Sequence, residues 1–129
     1  MIMRERATGL SSRREQLSDT EFEIYVHNTL RARFPQNEGW QILEQPTAPS
    51  GARPDFLVNG PQAIIVVGAN DKKQVERSDI DFLLDCATDL QARSTIIYTA
   101  NDTEIPDSVA EYAKAKGVEV TRTQWWQDD

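Results

Sequence analysis

The sequence predicts an α/β domain in which a mixed central β-sheet is flanked by helices, with the element order αβββαβαβ. Three observations carry that prediction. A length of 129 residues with 39% hydrophobic content suits one domain around one core. A helical period opens the ordered part of the chain and is followed by three short strand-like runs. The second half then alternates strand, helix and strand, and a meander followed by β-α-β units gives a mixed sheet with helices on both faces.

Residues 1–17 are polar, lack a clear period and carry Gly9, Ser11 and Ser12, so they are expected to form a flexible tail ahead of a single domain over 18–129. Ser18 and Glu21 have capping-box spacing, and Phe22, Val26 and Leu30 recur at helical spacing until Pro35 stops the helix. Trp40 to Glu44 reads as a short strand, and the stretch from Pro46 to Gly51 as a loop. Asp55 to Val58 and Ala63 to Val67 are two further strands. Pro61 cannot supply the N–H that would close a two-residue turn, so a wider hairpin loop is expected between them.

Ser78 and Asp81 predict the start of a second helix, with Ile80, Leu83, Leu84, Ala87 and Leu90 forming its apolar face. Thr95 to Thr99 is β-branched and aromatic, hence a strand. Pro106 opens a helix through Lys116 with Val109, Tyr112 and Ala113 inward, Gly117 stops it, and Val118 to Thr121 is the last strand. Trp125 and Trp126 are expected to close a sheet edge or pack on the first helix, in preference to stacking on bases.

Composition bounds the function. A formal charge of −7 argues against a protein that coats nucleic acid indiscriminately, because such affinity comes from Lys and Arg on phosphates. Any DNA contact must then be local. Arg4, Arg6, Arg13 and Arg14 concentrate at the front and could serve as a phosphate-binding arm, with an exposed terminus as the simpler reading. No apolar run is long enough to span a bilayer, and no apolar signal region opens the chain, so a soluble, cytoplasmic protein without membrane association is expected. Cys86 is the single cysteine and lies in an apolar run, where it reads as buried filler. There is no P-loop, no dinucleotide fingerprint, no nucleophile elbow and no His or Cys cluster for zinc.

Two stretches carry a resemblance to a known superfamily. Gly51-Ala-Arg-Pro-Asp55-Phe-Leu-Val, a hairpin loop, and Ala63-Ile-Ile-Val-Val-Gly68-Ala-Asn70-Asp71-Lys72-Lys73 resemble the core of the PD-(D/E)xK, restriction-endonuclease-like nucleases. Ser94-Thr-Ile-Ile-Tyr-Thr-Ala, followed by Pro106 through Gly117-Val-Glu-Val, is similar to the closing unit of their Mrr-type branch. The likeness runs over roughly residues 19–122. It implies a restriction-endonuclease-like core and a divalent metal, Mg²⁺ or Mn²⁺, held by an Asp on one strand and by a Glu or Asp two residues before a Lys on the next. It also implies a helix-one carboxylate, for which Glu23 in Glu-Phe-Glu-Ile-Tyr-Val stands in the matching place.

Asp55 matches the first ligand. The second has two alignments. In one, the Glu and Lys places fall on Gly68 and Asn70, neither of which supplies the chemistry. In the other, Asp71-Lys72-Lys73 supplies a literal D-x-K, with Asp71 as metal ligand and Lys73 steadying the attacking water or the phosphate. Lys72 is the alternative lysine. Side chains alternate across a strand, so Asp71 has the opposite facing to Gly68 unless a bulge at the glycine restores it. His27, the only histidine, lies at the edge of the inward face of the first helix and reads as surface or packing.

Two functions follow from the resemblance. The first is a Mg²⁺-dependent endonuclease module that hydrolyses phosphodiester bonds in DNA with Asp55, Asp71, Lys73 and Glu23, working as a homodimer where both strands are cut. The second is a nuclease-fold domain without cleavage that binds DNA or a protein partner. A protein partner could also supply specificity to the first. What separates the two is whether Asp71 shares a site with Asp55 or points to solvent.

Overall fold

The computed structural model describes residues 19–124, and side chains from residue 21. The tail with its four arginines, the Ser18 cap and the Trp125-Trp126 pair lie outside the described residues. The element order is the expected one: α1 (Asp19–Arg33), a 3₁₀ turn (Gln36–Glu38), β1 (Gln41–Glu44), β2 (Phe56–Asn59), β3 (Ile64–Asn70), α2 (Arg77–Leu90), β4 (Ser94–Thr99), α3 (Asp107–Ala115) and β5 (Val118–Arg122).

The five strands lie side by side in sequence order. β1 and β2 are antiparallel, as are β2 and β3, while β3, β4 and β5 run parallel. The two parallel crossovers step in the same direction, and right-handed crossovers then place both connecting helices on one face. One apolar layer accordingly joins α2 and α3 to Leu57, Val66, Ile97 and Val118. The opposite face belongs to α1, whose Phe22, Val26 and Leu30 pack against Phe56, Val58, Ile65, Val67, Ile96 and Tyr98. β3 is buried on both sides, which is why its sequence is an unbroken apolar run where a one-sided strand would alternate.

α1 ends where Pro35 removes an N–H, and Arg31 and Arg33 in its last turn complement the helix dipole. Trp40 then packs its ring 4.8 Å from that of Phe34 and lies over Gly60 in the β2–β3 loop. A Cβ at Gly60 would stand 2.2 Å from the Trp40 ring, so this glycine is set by the close approach of the indole. The hairpin loop is the wider kind, closed by the Gly60 N–H on Ala63 O at 2.9 Å.

Two expectations change. β3 runs on through Gly68, Ala69 and Asn70, three residues past Val67 where the sequence places its end. Its register with β4 is unbroken from Ile65↔Ser94 to Asn70↔Thr99, so there is no bulge at Gly68. The cap of α2 is Glu76 with Asp79, two residues ahead of the expected Ser78 and Asp81. The Asp79 carboxylate accepts the Glu76 N–H at 2.8 Å, and Asp81 instead accepts the Tyr112 hydroxyl of α3. No helix among the described residues is long and apolar enough to cross a membrane.

Candidate active site

At the C-terminal end of β3, between the first turns of α1 and the first half of α2, lies a cavity of about 330 Å³. Glu23, Asp55, Asp71, Lys72 and Asp79 line it, together with the β3 backbone from Gly68 to Asn70 and the side chains of Phe82 and Leu83. Three of the four residues that sequence reasoning singles out are therefore brought to one cavity: Asp55 from the position just before β2, Asp71 from the turn after β3, and Glu23 from α1. Lys73, the fourth, is exposed and is not among the lining residues.

Asp55 is fixed from both neighbouring strands. Its backbone carbonyl accepts the Gln45 N–H at 2.9 Å, continuing the β1–β2 ladder, and its Oδ2 accepts the Ala69 N–H of β3 at 2.7 Å. A short, charge-assisted bond of this kind orients the carboxylate toward the end of β3. Its negative charge is felt at Cys86, a fully buried thiol raised above its ordinary pKa by burial first and then by Asp89, Asp85 and Asp55. The expectation of Cys86 as core filler holds.

Asp71 reaches the cavity without a bulge at Gly68. Asn70 Oδ1 accepts the Lys72 N–H at 3.0 Å, a side-chain turn that takes the chain out of the sheet directly after β3. The segment that follows is held to the loop beyond β4: Thr103 donates its hydroxyl to Lys72 O at 2.8 Å, and Glu104 N–H donates to Lys73 O at 2.7 Å. With the backbone so placed, Lys72 meets the cavity and Lys73 meets solvent.

The Lys72 ammonium lies 2.9 Å from Asp79 Oδ1 and 3.8 Å from Glu76. Its hydrogen bond to Asp79 is the chief reason its pKa stands above the ordinary lysine value. Asp79, which the sequence reading missed, thus caps α2 with one oxygen and holds a cavity lysine with the other. Acidic character in the first turn of α2 is its only sequence signal. His27 lies away from the cavity, tilted against the Phe56 ring at 5.3 Å and 3.5 Å from Glu44, as a packing residue would be.

The strand position across from Asp55 offers no ligand. Carried one step beyond the Phe56↔Val67 pair, the β2–β3 register sets Asp55 opposite Gly68. Asn70, two residues on, spends its side-chain oxygen on the Lys72 N–H. Among the described residues no three His, Cys, Asp or Glu side chains are grouped to hold a metal. The donor set still fits a hard cation of the Mg²⁺ type in one respect: such ions are commonly held by one or two carboxylates and keep several waters.

No protein-family model matches the sequence, and no curated protein matches it. Solved structures do. The SfsA protein of Pyrococcus furiosus in complex with Ca²⁺ is similar with a TM-score of 0.53 and 16% identity, over 81% of this chain and 57% of that one. A repair endonuclease from Pyrococcus abyssi is similar with a TM-score of 0.56 and 14% identity, over 83% of this chain and 48% of that one. The chain thus spans about half the length of the structures it matches. At these identities the likeness is one of fold: the α/β architecture of a mixed five-stranded sheet flanked by helices is similar to that of both structures.

Proposed function

We propose that this chain is a DNA-processing domain of nuclease fold, an endonuclease module of the restriction-like, Mrr kind that hydrolyses phosphodiester bonds with a divalent cation. The observation that carries the proposal is the convergence of Asp55, Asp71 and Glu23, from three separate elements, on one cavity. With Asp79, four carboxylates and one lysine line the cavity, and such a surface repels a phosphodiester unless a cation intervenes. The likeness of fold to a repair endonuclease and to a protein solved with Ca²⁺ supports the same reading.

Asp55 and Asp71 would hold the cation, with Glu23 at the edge. A bound Mg²⁺ or Mn²⁺ supplies the positive charge that draws in the phosphate and makes water a better nucleophile near neutral pH. The chain's own contributions are orientation and charge. The Ala69 N–H keeps the Asp55 carboxylate aimed, and Asp79 holds the Lys72 ammonium at the rim, where it can pair with a phosphate oxygen. Lys72 therefore takes the part that the literal D-x-K spacing gives to Lys73. Cutting both strands of a duplex would take two copies.

A second reading, a nuclease-fold domain that binds DNA or a protein partner without cleaving, is favoured by Gly68 and Asn70 where β3 should carry a carboxylate and a lysine. Plasmid nicking in Mn²⁺ by the unmodified chain, Asp55→Asn and Asp71→Asn separates the two. Nicking that is lost in both variants supports the endonuclease, and DNA retention without nicking in any of them supports the binding domain.

A further inference from the structure

Gly68 is not explained by its backbone. It is absent from the glycines with positive φ, and it pairs with Ile97 in an uninterrupted parallel ladder, so any residue could adopt its conformation. What excludes a side chain is Leu83 of α2. A Cβ at Gly68 would stand 2.5 Å from Leu83 Cδ1, 3.2 Å from Cδ2 and 3.4 Å from Cγ, whereas carbon atoms pack at about 3.5–4.0 Å. The whole end of the leucine sits over the glycine. Leu83 is 5% exposed within the layer that also holds Val66, Ile80, Cys86 and Ile97, so making room for a side chain at Gly68 means repacking the end of the leucine against that layer.

Gly68 and Leu83 both line the cavity beside Asp55. We propose that Leu83 is the residue that fixes how many ligands this cavity offers: by filling the space over Gly68 it leaves Asp55 without a carboxylate on the neighbouring strand. A cation must then be shared with Asp71 from the turn. The inference rests on Asp55 being the cavity's ligand, as in the function proposed above, but it does not require the unmodified chain to bind tightly. It makes the absence of a ligand at β3 a matter of packing as well as of sequence. A glutamate placed at Gly68 alone does not become a ligand, because the space for it is already taken.

The test uses the full chain and four variants: Gly68→Glu, Leu83→Ala, the two combined, and the combination with Asp55→Asn. Mn²⁺ affinity is read by calorimetry and unfolding by thermal melting in EDTA. Leu83→Ala lowers the melting temperature and, because it adds no ligand, brings no gain in Mn²⁺ affinity. Gly68→Glu lowers the melting temperature without a gain in affinity. The combined variant loses less than the sum of the two single losses and binds Mn²⁺ about ten-fold tighter or more, as an added carboxylate ligand should. Asp55→Asn removes that gain.

A single Gly68→Glu that binds as tightly as the combined variant overturns the inference, and so does a combined variant that gains nothing. Should Gly68→Glu fail to fold, Gly68→Ala with and without Leu83→Ala carries the steric arm: strictly additive melting losses overturn the inference, and losses below the sum support it. An unmodified chain that binds no Mn²⁺ contradicts the function proposed above, while the gain in the combined variant still decides this point.

Discussion

Asp55 serves two ends, and two substitutions pull them apart. Its Oδ2 accepts the Ala69 N–H at 2.7 Å in a part-buried setting, and its charge is what a cation would bind. Asp55→Ala removes the acceptor and leaves that N–H to whatever water reaches it. Hydrogen bonds to charged groups contribute about 1.5–3 kcal/mol, and since Ala69 is only half-buried, a loss of about 1–2 kcal/mol is expected. For a domain of this size that lowers the melting temperature by roughly 4–8 °C. Asp55→Asn keeps an oxygen acceptor, forfeits the charge assistance, and relieves repulsion from Glu23, Asp71 and Asp79 around the same cavity. The two effects oppose each other, so its melting temperature should stay within roughly 3 °C of the unmodified chain. Thermal unfolding by circular dichroism in EDTA reads both. Equal losses for Asn and Ala would mean the opposite, that charge and not the Ala69 hydrogen bond holds this corner together.

Other perturbations follow from particular contacts. Gly60→Ala places a methyl against the rigid Trp40 ring and should cost about 1–3 kcal/mol by denaturant titration, with Trp40→Leu in the same chain recovering part of it. Arg33 makes paired hydrogen bonds to Glu119 at 2.8 and 3.0 Å and holds that carboxyl below its ordinary value of 4.5. A depressed folded pKa means that the pair's contribution is complete above the unfolded value and is lost as pH falls through the folded one. Both side chains are 42% exposed, so the contribution is under about 1 kcal/mol, and Glu119→Gln should flatten the loss of stability below about pH 4.5 by no more than that. Asp79→Ala removes half of the α2 capping box and should cost about 0.5–2 kcal/mol in a urea melt. It also releases Lys72, whose pKa should then fall toward the ordinary lysine value, visible as faster acylation of Lys72 in peptide mapping.

The order of elements is legible in the sequence because each period survives in the fold. Phe22, Val26 and Leu30 are all buried under the sheet, the run through Val66 and Val67 is covered on both faces, and Gly117 ends α3 with a φ of 76°. Asp55 and Glu23 come from the family resemblance and not from any period, and both line the cavity. What escapes the sequence depends on residues distant in the chain. Gly68 reads as a strand end or bulge until Leu83, on the next helix, is seen lying on it. Glutamate is not among the preferred helix caps, so Ser78 draws the prediction away from Glu76, which wins because Asp79 reciprocates its hydrogen bond. The choice between Lys72 and Lys73 is made by ties to Thr103 and Glu104, which no local pattern announces. Phe82 stands exposed at the cavity rim, outside the apolar face that predicts α2.

In the proposed site Asp55 and Asp71 act on one divalent cation. Calorimetric titration of the full chain with Mn²⁺, with Asp55→Asn and Asp71→Asn in parallel, tests it most directly. One binding event in the unmodified chain that is lost in each variant, with all three chains melting alike in EDTA, is the predicted result. Binding that survives Asp71→Asn, or no binding in the unmodified chain, would contradict it.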